Sequence, residues 1–327
     1  MRQIILACCR SGNYILKNLL DNCEIDRNEI IVHEDIDFSF NDSEMCANLV
    51  GDPLNKDVFI FQSLYKTQNE FSTNDNLLAL LASIRAYKEY GAKSITAVIP
   101  YLSYARQDKA VWNKMEPVTI RLISDILKCA GVDNLITYHS GNVNLKGYFY
   151  GINFYDLSPD EIFIEYIENR ISCDPDSTII LAPDRGAQYL VKFMANAINL
   201  QYGFSLKERI SEKHCQQICM HNISYSKASR FKTVIIADNA IFSGMTLSLC
   251  LEQNRLNYEP EKIYILSSHI DLSTNTLGQL ETLKNKYSIE ELFISNSISF
   301  KKELPNWIQM FDISPKIFDQ IKKICQE

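Results

Sequence analysis

The sequence predicts an α/β protein made of two similar domains, each a mainly parallel sheet flanked by helices. Three observations carry that expectation: short apolar runs alternate with amphipathic segments, polar turns separate them, and the scheme starts again past the midpoint. Strands covered on both faces read as continuous apolar runs, and the helix between two of them returns the chain for the next parallel strand. With 327 residues, 46% of them hydrophobic and 22% charged, the chain is long enough to bury two cores.

The elements follow in order. Ile4 to Ala7 predicts the first strand and Tyr14 to Asn22 the helix after it. Val58 to Gln62 leads to a helix over Leu77 to Tyr90, Ser94 to Ile99 to one over Val118 to Ala130, and Asn134 to Thr137 adds a strand. In the second half Thr178 to Ala182 precedes a helix near Ala187 to Ile198, and Thr233 to Ala237 precedes Leu247 to Asn254. Lys262 to Ser267 and Glu291 to Ser295 supply further strands. The two domains meet near residue 150.

The formal net charge is -7, which argues against a nucleic-acid surface, because such a surface needs a concentrated basic stripe. Ten cysteines are spread without zinc spacing; Cys8 and Cys9 are adjacent, and Cys215 and Cys219 lie on a polar stretch with no further ligands nearby. They read as reduced, mostly buried thiols. No signal peptide is evident, and no apolar run approaches the roughly 20 residues that cross a bilayer. The expected location is the cytoplasm, with no membrane partner.

The most informative stretch is the apolar Val234 to Ala237 running into Asp238-Asn239-Ala240-Ile241-Phe242-Ser243-Gly244-Met245-Thr246. Backbone N–H groups at a helix N-terminus bind phosphate oxygens, Ser243 and Thr246 add hydroxyl donors, and a strand-end carboxylate, Asp238, holds ribose hydroxyls or a metal. That order suits a ribose phosphate. The stretch resembles, in altered form, the phosphoribosyl diphosphate (PRPP) loop of the ribose-phosphate diphosphokinases, or PRPP synthetases, which reads D-D-x-x-D-T-G-G-T. Asp238, Gly244 and Thr246 match and Ser243 replaces a Thr, whereas Asn239 and Phe242 stand where the family has Asp and Met245 where it has Gly.

Pro100-Tyr101-Leu102-Ser103-Tyr104-Ala105-Arg106-Gln107-Asp108-Lys109 follows a strand, placing Arg106, Gln107 and Asp108 at a carboxyl end, where open α/β sheets bind ligands. A guanidinium grips phosphate oxygens bidentately, Gln107 suits an adenine or ribose edge, and Asp108 orients a basic partner or water. The run resembles the family's P-Y-x-x-Y-A-R-Q-D-R/K. Thr73-Asn74-Asp75-Asn76 is similar to its T-N-D-N, and helix capping accounts for most of that stretch. Phe40-Asn41-Asp42-Ser43-Glu44 resembles the family's F-S-x-x-E adenine hairpin; Phe40 suits stacking on adenine, while Asp42 and Glu44 accept from its amine. In the family this hairpin reaches a neighbouring subunit, so the resemblance implies a homo-oligomer, a hexamer as in homologues.

Further motifs resemble the family in register. Lys207-Glu208-Arg209 is similar to its flexible K-x-R loop, which implies catalytic cations closing over the triphosphate. Ala182-Pro183-Asp184-Arg185-Gly186-Ala187 is similar to S-P-D-x-G-G/A, whose Asp holds Mg²⁺; a hard cation prefers carboxylate and water oxygens, making Asp184 the candidate ligand, against the reading of a turn-stabilising Asp after Pro183. The family's metal His, in D-L/I-H-A, falls on Gly141 in ungapped register, and a two-residue shift places it on His139.

The resemblance implies two phosphoribosyltransferase-type domains, 1–148 on the ATP side and 149–312 with the PRPP-type loop, the helix over 313–327 packing back on the first. It further implies a Mg²⁺-dependent transferase that moves the β,γ-diphosphoryl group of ATP to the C1 hydroxyl of a ribose 5-phosphate moiety, releasing AMP. The departures leave three readings. In the favoured one Phe242 and Met245 line a pocket for a group beyond the 5-phosphate, and the acceptor is ADP-ribose, giving ADP-ribose pyrophosphate as in a branch of the family that rebuilds NAD. In the second the acceptor is ribose 5-phosphate and the changes are tolerated; in the third the chain is a silent regulatory subunit.

Overall fold

A computed structural model describes residues 3–26, 28–66, 71–110, 114–209, 215–220, 231–300 and 303–326; side chains of 206–209, 215–220, 256 and 257 lie outside that description. The chain divides into two units, Met1–Leu157 with Ser297–Ser299 and Asp312–Glu327, and Ser158–Asn296 with Phe300–Phe311.

The first unit contains β1 (Ile4–Cys8), α1 (Asn13–Asn22), β2 (Ile30–His33), β3 (Asp37–Ser39), β4 (Met45–Ala47), β5 (Asp57–Phe61), α2 (Thr73–Glu89), β6 (Ser94–Ile99), α3 (Thr119–Ala130), β7 (Asn134–Tyr138) and β8 (Asn153–Leu157). Its sheet has the order β2-β1-β5-β6-β7-β8 with every pair parallel, and β3 and β4 form a separate antiparallel hairpin. The second unit contains α4 (Asp160–Arg170), β9 (Thr178–Ala182), α5 (Gln188–Ala197), β10 (Gln201–Arg209), β11 (Cys215–Met220), β12 (Thr233–Ile241), α6 (Met245–Tyr258), β13 (Lys262–Ile270), α7 (Thr274–Tyr287), β14 (Ile289–Ser295) and β15 (Ile308–Phe311). Its order is β11-β10-β9-β12-β13-β14-β15, parallel except for the β10–β11 pair. Leaving β11 aside, the two sheets share one order: the second strand of each unit lies outside the first, and the remaining strands continue on its other side.

The central strands explain why they were legible. Ile5 to Cys8 and Val58 to Phe61 are buried throughout, as are the residues of β7 and β9, so no polar alternation survives in them. Each fully buried aliphatic side chain contributes about 1.5–3 kcal/mol. The closing helix, α8 (Ser314–Gln326), belongs to the first unit, where it packs on α1 and Asn22 Nδ2 donates to Asp312 Oδ2 at 2.8 Å.

Local chemistry sets two helix starts. Helix α2 has its N-cap at Ser72, one residue before the Thr73–Asn76 stretch, and Asp75 of that stretch completes the cap: Asp75 N donates to Ser72 Oγ at 3.2 Å and Ser72 N to Asp75 Oδ2 at 2.8 Å, a reciprocal capping box. Helix α6 begins at Met245 behind Gly244, which takes a left-handed φ of 63° that Gly adopts without steric cost, and no side chain caps it.

His33 ends β2, is 3% exposed, and places Nδ1 2.7 Å from the Tyr87 hydroxyl. Burial, with a smaller contribution from Lys56, holds its imidazole below the ordinary value of 6.5. The unfolded chain therefore takes up this proton first, so stability is expected to fall as pH drops through about 6.5 and to level off below the folded-state value. Urea midpoints measured from pH 7.5 to 5.5 test this: His33→Gln should flatten that part of the profile, and an unchanged slope would remove His33 as its source.

Candidate functional site

In the first unit the loop leaving β6 is held at several points. Ser103 Oγ donates to Leu64 O at 2.9 Å, Tyr104 takes a left-handed φ of 68° with its hydroxyl on Asn74 Oδ1, and Gln107 N donates to Tyr104 O at 2.9 Å. Gln107 is tied to the start of α3, since Thr119 Oγ1 donates to Gln107 Oε1 at 2.5 Å and Ile120 N to Gln107 O at 3.3 Å. Asp108 is tied to the loop after β7: Asn142 Nδ2 donates to its carboxylate and the Tyr148 hydroxyl to its carbonyl at 2.6 Å. Gln107 and Asp108 thus spend these atoms on the loop itself, and the loop presents an exposed Arg106. Burial raises the neighbouring Tyr101 hydroxyl above its ordinary range, and the Arg106 charge opposes the rise.

His139 sits at the carboxyl end of β7, beside the β6 loop, because Tyr138 N donates to Pro100 O at 3.2 Å. Its φ is 43°, its N–H donates to Leu157 O at 2.8 Å, and the following Ser140 N donates to Asp156 Oδ1 at 2.9 Å. The fold therefore brings Arg106, Gln107, Asp108 and His139 to one edge of one sheet.

Phe40, Asp42 and Glu44 form the tip of the β3–β4 hairpin. Phe40 is 51% exposed and meets Phe38 edge-on with ring centroids 5.0 Å apart, while Asp42 Oδ1 accepts from Glu44 N at 3.1 Å and closes the turn. The hairpin is anchored by a residue the sequence reading missed. Arg10 N and Nε donate to the Asp37 carboxylate at 2.6 and 3.2 Å, Nη2 donates to Ser39 Oγ at 3.0 Å, and the guanidinium lies 4.4 Å over the Phe71 ring. A lone Arg after an apolar strand carries little local signal; the Ser11-Gly12 turn behind it was the clue. Burial pushes the adjacent Cys8 thiol up to about 12 and Cys9 well above its ordinary range, so both are protonated thiols at neutral pH.

In the second unit β10, β9 and β12 are consecutive in the sheet, and the chain leaves β9 for one side and returns to the other. Open parallel sheets bind ligands at such a switch point, outside the carboxyl ends of the strands. Phe204 pairs with Ala182 and Ile236 with Leu181, so Lys207 and Arg209, Asp184, and Asp238 all lie past the last paired residues at this edge. Strand β10 continues through Lys207 and Arg209, which pair with Gln217 and Cys215 of β11; the resemblance implied a loop at that position, and extended pairing with β11 occupies it instead.

Asp184 Oδ1 accepts from Gly186 N at 2.7 Å, so the turn-stabilising role holds for one oxygen while the other stays outside that bond. Among the described residues no three carboxylate, imidazole or thiol side chains form a cage. Mg²⁺ bound together with nucleotide phosphates takes only one or two protein carboxylates and keeps several waters, so a donor set as small as Asp184 suits it.

Strand β12 runs four residues beyond the expected Ala237, to Ile241, carrying Asp238 and Asn239 as strand residues. Asp238 is 5% exposed and its Oδ1 accepts from Asn239 N at 2.8 Å. Phe242 is half-buried, Ser243 exposed, Gly244 buried and Thr246 partly buried, whereas Met245 is 61% exposed at the first position of α6. Ser243, Gly244 and Thr246 stand at the N-terminus of α6 as a candidate phosphate cradle, since no side chain caps this helix and first-turn N–H groups lack intrahelical partners.

Two sheets of one strand order, each with its candidate groups at carboxyl ends and one with a helix N-terminus after a buried Asp, define a protein of two phosphoribosyltransferase-type units. Residues 8–131 match the model of the N-terminal domain of ribose phosphate pyrophosphokinase. Relatives named ribose-phosphate pyrophosphokinase include those of Wolinella succinogenes, 29% identical over 87% of this chain and 85% of that one, and Clostridium perfringens, 28% identical over 88% and 86%. The crystal structure of phosphoribosylpyrophosphate synthetase from Mycobacterium smegmatis superposes with a TM-score of 0.83, covering 99% of each chain at 21% identity, which shows the shared fold. Over most of its length the chain is thus similar to ribose-phosphate pyrophosphokinases. No helix among the described residues is long and apolar enough to cross a membrane.

Proposed function

We propose that the chain is a diphosphotransferase that moves the β,γ-diphosphoryl group of ATP to the C1 hydroxyl of a ribose 5-phosphate moiety and releases AMP. The observation that supports it best is the carboxyl edge of the second sheet, where two cations, a candidate metal carboxylate and a ribose-phosphate loop come from three adjacent strands.

The residues divide by task. Phe40, Asp42, Glu44, Arg106, Gln107 and Asp108 serve ATP; Asp238 and Asn239 orient the ribose; and Ser243, Gly244 and Thr246 hold the 5-phosphate. Arg106, Lys207 and Arg209 stabilise the transferring group, because phosphoryl transfer depends on positioning and charge neutralisation. Asp184, with His139 as a second candidate, holds Mg²⁺, which when bound neutralises phosphate charge.

The names of the curated relatives favour ribose 5-phosphate as acceptor. One feature of the loop favours ADP-ribose: Phe242 and Met245 put apolar surface where an aromatic base beyond the 5-phosphate would pack, and Asn239 and Phe242 remove charge that the family's loop carries. Each charge-assisted bond so lost costs about 1.5–3 kcal/mol. AMP release from Mg-ATP, followed by chromatography with each acceptor supplied separately, decides between them. Release only with ribose 5-phosphate makes the changes tolerated drift, and release only with ADP-ribose makes Phe242 and Met245 specificity residues. Release with neither rejects the proposed transfer in favour of a silent subunit. Assembly as a homo-oligomer, hexameric as in homologues, belongs to the same proposal and is read from sedimentation.

A further inference from the structure

We propose that Thr276, on the first turn of α7, is a positioning residue that aims the amides of the acceptor loop and thereby sets acceptor affinity; the inference rests on reading residues 238–246 as that loop. Thr276 is 4% exposed, and its Oγ1 lies 3.0 Å from the carbonyl oxygen of Phe242. A carbonyl only accepts, so the hydroxyl proton of Thr276 is committed to it. The peptide between Phe242 and Ser243 is planar and trans, which points the Ser243 N–H opposite to the Phe242 carbonyl. Drawing that carbonyl toward α7 therefore turns the Ser243 N–H away from α7, at the entrance to the cradle.

The anchor is itself anchored. Ser273 Oγ lies 3.2 Å from both Thr276 Oγ1 and Asp271 Oδ2, and its one proton serves one of them at a time. Ser273 N donates to Asp271 Oδ1 at 3.0 Å, and Asp271 N donates to Ile241 O at 2.9 Å. Two successive carbonyls at the end of β12, those of Ile241 and Phe242, are thus gripped by one segment, 271–276. The next residues, Ser243 and the left-handed Gly244, leave the loop little intrinsic stiffness.

Thr276→Val keeps the shape and removes the hydroxyl. The acceptor KM is expected to rise about tenfold, the effect of losing one well-placed neutral hydrogen bond, with kcat within about twofold and the ATP KM unchanged. Thr276→Ser should restore the wild-type KM, and amide hydrogen exchange over residues 243–246 should accelerate in the Val variant and return in the Ser variant. A structural role alone would lower stability and leave the KM untouched. An unchanged acceptor KM in folded Thr276→Val, or no rescue by Ser, overturns the proposal; if the Val variant does not fold, Thr276→Ala removes the same hydroxyl and carries the same expectation. Should the wild-type chain turn over neither acceptor, the function reading fails separately, and equal exchange of 243–246 in wild type and variant then removes the positioning role.

Discussion

Lys207→Ala is expected to lower kcat for AMP release by roughly 10²–10³-fold, with thermal unfolding and circular dichroism unchanged. The transferring diphosphoryl group carries its charge on oxygens that no covalent chemistry of the protein relieves, so a cation in place before the reaction supplies most of what a side chain contributes. Lys207 stands on β10 beyond the last residue paired with β9, at the same edge as Asp184 and Asp238. Its backbone pairs with Gln217 through main-chain groups, which Ala retains, so folding should not register the change. Lys207→Arg keeps the charge but replaces a compact ammonium with a broad fork, and should recover only part of the rate. Unchanged turnover in the Ala variant would remove Lys207 from the chemistry and leave Arg209 and Arg106 to supply the charge.

Gly12→Ala should have the largest effect on stability. A Cβ at this position would stand 2.2 Å from the carbonyl oxygen of Phe61, 2.5 Å from its carbon and 2.9 Å from Gln62 N. All three are backbone atoms, so no rotamer change relieves the clash. The carbonyl in question also accepts from Cys9 N at 3.1 Å, and Cys8 pairs with Phe61 in the β1–β5 ladder. Moving the turn away would break the junction at the sheet's switch point. The cost is on the order of 3 kcal/mol, the upper range for overpacking, or a fall in Tm of roughly 6–12 °C in scanning calorimetry. A Tm within about 2 °C of wild type would show that the turn relaxes at little cost.

Legibility in the sequence followed burial. Strands covered on both faces, such as β1, β5, β7 and β9, were visible as continuous apolar runs. Edge strands were not: β2 and β15 are short and only half covered, and β8 buries only Phe154 and Leu157 of its five residues, so each reads as loop. Helix α4 begins Asp160-Glu161 and mixes charge with β-branched residues, while α7 is polar with Gly278 inside it. Both are helices because their few buried residues share a face: Thr276, Leu280, Leu283 and Tyr287 of α7 are buried at spacings of four, three and four. That spacing was present in the sequence and was outweighed by composition.

The sequence alone determined the class of fold and the identity of the candidate groups, because periodicity and motif order are properties of neighbours along the chain. It could name Asp184, Lys207 and Asp238 but could not make them adjacent. Adjacency came from strand order, in which β10 and β12 flank β9 although β11 intervenes between them along the chain. The same holds for Arg10 with Asp37 and for Thr276 with Phe242, pairs 27 and 34 residues apart. A single hydrogen bond between such residues leaves no local pattern. Only the packing of α7 against the end of β12, and of β1 beside the hairpin, brings donor to acceptor, and there the backbone of the acceptor loop acquires its direction.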